Sequence, residues 1–236
     1  MIRGILFDKD DTLVRLEDFW REPIRVSAAF AVSKSLGRED KEVARLLEQA
    51  AGFEDGTLIP ESPVVAGTNQ DILKAWDRIL SSMGSGLAEP EQVNRFLEQS
   101  CRDLGQVVPT EPLAPLLDEL ISQGIKLAVA TSDNFEPALH CLKSLEISQY
   151  FCGIYSADRV PRPKPWPDIA LAFCRDWDLN PEDVAMVGDS ENDMRFAENS
   201  GVVGIFYCPG KPSTPLPRGA KFGISHFSQL SELLSN

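Results

Sequence analysis

The sequence is 236 residues long, enough to bury one sizeable core with a second, smaller domain beside it. It is 43% hydrophobic and 25% charged, the composition of an ordinary globular protein. A net charge of −13 argues against nucleic acid as a partner, whose affinity comes from Lys and Arg neutralising phosphates, and against an anionic membrane surface. A small anionic substrate stays open, because a local cation and a few donors outweigh a distant field.

The first predicted strand is the apolar run "GILF" (4–7), and four charged residues, Asp8, Lys9, Asp10 and Asp11, follow it directly. From Leu13 to about Lys126 no convincing strand appears. Amphipathic helices are predicted there over 17–36, 39–51, 69–82 and 89–104, with Gly, Pro and Ser punctuating the gap at 52–68. From about residue 110 helix and strand alternate. "EPLAPLLDELISQG", with Gly124 as its C-cap, leads into "KLAVATS" (126–132). "FEPALHCLKSLEIS" leads into "FCGIYSA" (151–157), and "PDIALAFCRDWDL" into "VAMVGD" (184–189); "GVVGIFY" (201–207) follows. "LAVA" and "VAMV" lack polar alternation, so both faces are expected to be covered, as in a parallel sheet between helices. The expected fold is α/β, a Rossmann-like doubly wound parallel sheet built from 1–15 and 106–236, with an α-helical domain, 16–105, inserted after the first strand.

The five cysteines (Cys101, Cys141, Cys152, Cys174, Cys208) are odd in number, scattered and without CxxC spacing, which reads as reduced, mostly buried thiols. "MIRGILF" is too short an apolar run for a signal peptide, and no segment approaches the roughly 18 apolar residues of a membrane span. A cytoplasmic protein, monomeric or homodimeric, is expected.

Four separated pieces need a common explanation. They are Asp8-x-Asp10-x-Thr12-Leu13 at the end of the first strand, Thr131-Ser132-Asp133 at the end of the next sheet strand, Lys164 within "VPRPKPWPD", and "VGDSENDM" with Asp189 and Asp193. Ligands of open α/β sheets bind outside the carboxyl ends of the strands, where the strand order reverses, and the three strand-borne pieces all sit at that edge. In order and spacing the four pieces resemble the motifs of the haloacid dehalogenase superfamily of phosphohydrolases, nearest its phosphoglycolate phosphatase-like branch. The likeness covers essentially the whole chain, with the inserted helices in the place of a cap domain.

The resemblance implies a Mg²⁺-dependent phosphatase of a small phosphorylated metabolite, with the cap closing to exclude bulk water. Two carboxylates 4 Å apart repel by about 1 kcal/mol in water and about 4 kcal/mol at an effective dielectric near 20, so gathered aspartates need a counter-charge. An oxygen-only carboxylate site suits Mg²⁺, which keeps waters and bridges to phosphate. By resemblance, Asp8 is the nucleophile that forms an aspartyl-phosphate, and Asp10 protonates the leaving alcohol and then deprotonates water. The Asp8 carboxylate, the Asp10 carbonyl and the Asp189 carboxylate are the implied Mg²⁺ ligands, with Asp193 beside or behind the ion. Thr131, Ser132 and Asp133, through hydroxyl and backbone amides, are implied to bind phosphate oxygens, and Lys164 to neutralise charge on Asp8 and the phosphoryl group.

Two positions depart from the family pattern: Asp11 stands where Gly is usual, though Asp tolerates a left-handed backbone, and Asp133 stands where Asn is common. Other readings of the same residues are a phosphomutase of this fold and a non-enzymatic phospho-accepting or binding protein. His140 and His226 do not suggest a zinc site. Trp20, Phe30, Trp76 and Phe96 read as core of the helical insertion. Arg21 and Arg25, one turn apart, are candidates for a substrate carboxylate, and the segment 53–68 for substrate choice.

Overall fold

The strand β1 (Gly4–Phe7) is buried at every position and is hydrogen-bonded to a parallel neighbour on each side, which is why its residues show no polar alternation. The computed structural model describes residues 1–54, 56–59, 62–210 and 215–234. After β1 the chain forms α1 (Leu16–Leu36), α2 (Lys41–Ala51), a hairpin of β2 (Phe53–Glu54) and β3 (Thr57–Leu58), α3 (Pro63–Ala66), α4 (Asn69–Ser82) and α5 (Pro90–Leu104). It continues through α6 (Ala114–Ser122), β4 (Lys126–Ala130), α7 (Phe135–Ser144), β5 (Ile154–Tyr155), α8 (Asp168–Trp177) and β6 (Val184–Gly188). Last come α9 (Glu191–Ser200), β7 (Val203–Tyr207), β8 (Ala220–Ile224) and α10 (Ser228–Leu234). The chain divides into two compact units, Met1–Arg15 with Pro109–Asn236, and Leu16–Val108.

In the first unit, among the described residues, six strands make one parallel sheet in the order β5-β4-β1-β6-β7-β8. The chain grows outward from β1 to β4 and β5, then crosses back to β6 and grows the other way, so the order reverses beside β1. This is the doubly wound α/β arrangement. On one face Leu6, Ala128, Ala130 and Met186 pack with Phe173 of α8 and Phe196 of α9. On the other, Phe7 meets the rings of Phe151 and Phe227 edge-on, at 6.3 and 6.2 Å.

The second unit has its own core of Ile24, Leu47, Trp76, Leu80, Val93 and Leu97. Trp76 is wholly buried and its indole N–H donates to the Leu47 carbonyl at 2.8 Å. Trp20 packs against this core, and the Phe30 ring stacks on Phe96 at 4.2 Å. Asp40 caps α2 by accepting from the Val43 amide at 3.2 Å.

The sheet differs from the sequence expectation at its edges. β8 gave no sequence signal because it is an edge strand with a half-exposed pattern and a glycine inside it. Only Ile154 and Tyr155 of the 151–157 run are strand. The stretch expected to lack strands holds the β2–β3 hairpin, whose two-residue strands are too short for a periodic pattern. The cysteines are all free thiols, with Cys141 and Cys174 buried and Cys152 exposed. Among the described residues no helix is long and apolar enough to cross a membrane.

Candidate active site

The sheet register alone brings distant parts of the chain to one edge. Phe7 lies opposite Val187 in β6 and Val129 in β4, so the residues that follow each strand emerge side by side. The Asp8 amide donates to the Val187 carbonyl at 2.8 Å, fixing the first residue beyond β1 against β6. The chain then turns sharply. Asp11 takes a left-handed backbone, φ 52°, which its short polar side chain tolerates in place of glycine. The amides of Leu13 and Val14 close the turn on the Lys9 carbonyl at 2.9 Å each.

Asp8, Asp189 and Asp193 converge, each offering a carboxylate oxygen within 4.8 Å of the others. Thr12 holds Asp189 by donating its hydroxyl to Oδ1 at 3.0 Å. Asp193 is the third residue of α9 and forms a capping box with Ser190, whose amide and hydroxyl donate to Asp193 Oδ2 at 3.2 and 2.6 Å. Its other oxygen, Oδ1, accepts from Lys164 Nζ at 2.6 Å. The same ammonium donates to Asp8 Oδ1 at 2.6 Å. Lys164 thus bridges two carboxylates with its side chain only 3% exposed.

Burial penalises charge here, and the carboxylates answer for it. Asp8 is pushed up to about 7, by burial first and then by Asp193, with Lys164 pulling the other way. Asp189 is raised well above the usual carboxylate range by burial and by Asp8 and Asp193. Burial alone would lower Lys164; Asp193 and Asp8 outweigh it and hold the ammonium above an ordinary lysine. One buried cation therefore leaves three clustered carboxylates with surplus negative charge. An oxygen-only donor set with that surplus fits a hard divalent ion such as Mg²⁺.

Asp10 stands apart from this cluster. Its carboxylate pairs with Lys9, whose Nζ also lies 3.3 Å from Asp133 Oδ2. Burial would lower Lys9 as well, but Asp10 and Asp133 raise it. Thr131 is fully buried at the end of β4, and its hydroxyl oxygen accepts from the Asp133 amide at 3.0 Å, leaving its proton free to donate. Ser132 is exposed. Lys9 and Ser190 are the participants that the motifs did not single out. Of these only Ser190 had a sequence signal, the S-x-x-D spacing of a capping box.

Arg21 and Arg25 pair with Glu17 and Glu22 of their own helix, so each arginine already has an anion. Of the segment 53–68 suggested for substrate choice, Asp55, Pro60 and Glu61 lie outside the described residues.

A doubly wound parallel sheet with acidic loops at its carboxyl edge and a buried lysine among them defines a class of α/β enzyme. Residues 2–201 match the model of the haloacid dehalogenase-like hydrolase family, and the chain belongs to that family. The similarity runs to its phosphoglycolate phosphatase-like branch. A phosphoglycolate phosphatase of Rhodobacter capsulatus is 27% identical over 203 residues, covering 71% of this chain and 89% of that protein. Another, from Nitrosospira multiformis, is 34% identical over 85 residues, which span 36% of this chain and only 37% of the relative. The crystal structure of a hydrolase of the superfamily from Geobacter sulfurreducens superposes with a TM-score of 0.69 at 22% identity, covering 99% of this chain and 96% of that one, a likeness of fold.

Proposed function

We propose that this chain is a Mg²⁺-dependent phosphoric monoester hydrolase acting on a small phosphorylated metabolite, a phosphoglycolate-like ester, through an aspartyl-phosphate on Asp8. The observation that carries the reading is the convergence of Asp8, Asp189 and Asp193 on the buried Lys164. The names of the relatives, phosphoglycolate phosphatases among them, support the substrate class.

In this reading Asp8 and Asp189 hold Mg²⁺, with the Asp10 carbonyl beside them. Asp193 has both oxygens engaged by protein donors and braces Lys164 and the cluster from behind. Bound Mg²⁺ would offset the carboxylates and polarise the phosphoryl group. The Asp8 carboxylate attacks phosphorus while the ester P–O bond breaks, and Asp10 gives its proton to the departing alkoxide. Asp10 then takes a proton from water, which attacks phosphorus and breaks the bond to Asp8, releasing inorganic phosphate. Lys164 keeps Asp8 oriented and shares the charge that gathers during transfer. Thr131 donates its hydroxyl to a phosphate oxygen, aided by the backbone amides of Ser132 and Asp133. The unit Leu16–Val108 is read as the helical cap domain.

Purified protein supplied with a panel of small phosphomonoesters, phosphoglycolate included, should release inorganic phosphate with Mg²⁺ and stop on chelation. No release from any ester, or release indifferent to chelator, contradicts the proposal.

A further inference from the structure

Lys9 stands between the two aspartates of the first motif, and the reaction as proposed gives its charge nothing to do. Its side chain is 5% exposed. Burying an ammonium is costly unless it is paired, so the residue is expected either to be apolar or to hold something in place. Lys9 holds two things. Its Nζ bonds Asp10 Oδ1 and lies 3.3 Å from Asp133 Oδ2.

The anchor is fixed at both ends. The Lys9 carbonyl accepts the Leu13 and Val14 amides, and the Asp133 amide is tied to the Thr131 hydroxyl at the end of β4. Asp10, by contrast, is one-third exposed at its side chain and would sample several rotamers unaided. A bond to an immobile ammonium selects one. The same contact accounts for the acidic residue at 133. Its carboxylate is turned to Lys9, so it does not stand unopposed where phosphate is expected.

We propose that Lys9 is a positioning residue whose buried ammonium fixes the Asp10 carboxylate in the orientation from which it protonates the leaving alkoxide. The inference rests on the phosphatase reading. The step it serves is the transfer of a proton carried on Asp10 Oδ2, while Oδ1 accepts from Lys9, to the ester oxygen as the P–O bond breaks and the Asp8–phosphorus bond forms. An alkoxide needs that proton and p-nitrophenolate does not, so the role is readable in the leaving-group preference.

The test compares kcat/KM for glycerol phosphate and p-nitrophenyl phosphate, which reports the first chemical step. Lys9→Leu alone leaves the half-exposed Asp133 carboxylate without its partner beside the phosphate position, so the double variant Lys9→Leu with Asp133→Asn removes both charges together. It should lower the alkyl-to-aryl ratio by about tenfold or more, part of the range a general acid supplies. Asp133→Asn alone keeps Lys9 on Asp10 and should keep the ratio of the unaltered protein. A double variant with an unchanged ratio overturns the assignment, as does an equal fall in Asp133→Asn alone. An unaltered protein that hydrolyses only the aryl ester has no leaving-group protonation for Lys9 to support and also overturns it. Hydrolysis of neither ester overturns this assignment, whereas the phosphatase reading itself falls only if no ester of the panel, phosphoglycolate included, releases phosphate.

Discussion

A Cβ on Gly188 would stand 2.5 Å from the carboxyl carbon of Asp193. The last residue of β6 must be bare for the third residue of α9 to fold back against the strand and reach Lys164. Gly188→Ala should therefore displace Asp193, cost about 1–3 kcal/mol of stability as other overpacked sites do, and depress phosphatase activity. Thermal unfolding and phosphate release on the same preparation check this; unchanged activity would mean that Asp193 is not held in place for function.

Removing the buried cation should be more damaging. Lys164→Met leaves Asp8 and Asp193 buried without their shared partner, and breaking a buried pair from one side costs roughly 3–5 kcal/mol. The loss should be larger in chelator than in Mg²⁺, because the ion would replace part of the missing positive charge. Denaturant unfolding with and without Mg²⁺ measures the difference, and equal losses would contradict an ion site beside Lys164.

The raised carboxylates give a pH dependence with a definite sign. Asp8 titrates near 7 in the folded chain and near 4 when unfolded, so between those values the folded state holds the extra proton. For this group stability is greatest at low pH and falls as pH rises through about 7; Asp189 acts in the same direction. Mg²⁺ competes with those protons, so the rise in Tm on adding it should be small at pH 5.5 and large at pH 8. A Mg²⁺-induced shift that shrinks toward pH 8 would contradict this.

Much of the fold was legible because long elements carry long patterns. The helices α1, α2, α4 and α5 start and stop within two residues of the apolar periodicity read from the sequence. The buried strands β1, β4 and β6 were visible as unbroken apolar runs. Edge elements were not: β8 pairs on one side only, and its pattern is set by where β7 happens to lie. The carboxylates were legible as residues that needed a reason to follow strands. What the sequence could not state was direction. Lys9 looked like one more charge in an acidic turn, and its burial depends on Asp133, which β4 delivers from the middle of the chain. Asp193 was legible as a helix-start residue, yet its bond to Lys164 depends on the loop before α8.

The proposed reaction turns on Asp8, within a carboxylate cluster that would hold Mg²⁺, attacking phosphorus. The most direct measurement is phosphate release by Asp8→Asn with Mg²⁺ present, on the ester the unaltered protein hydrolyses best. Essentially all turnover should disappear while the variant stays folded; turnover equal to that of the unaltered protein would contradict attack by Asp8.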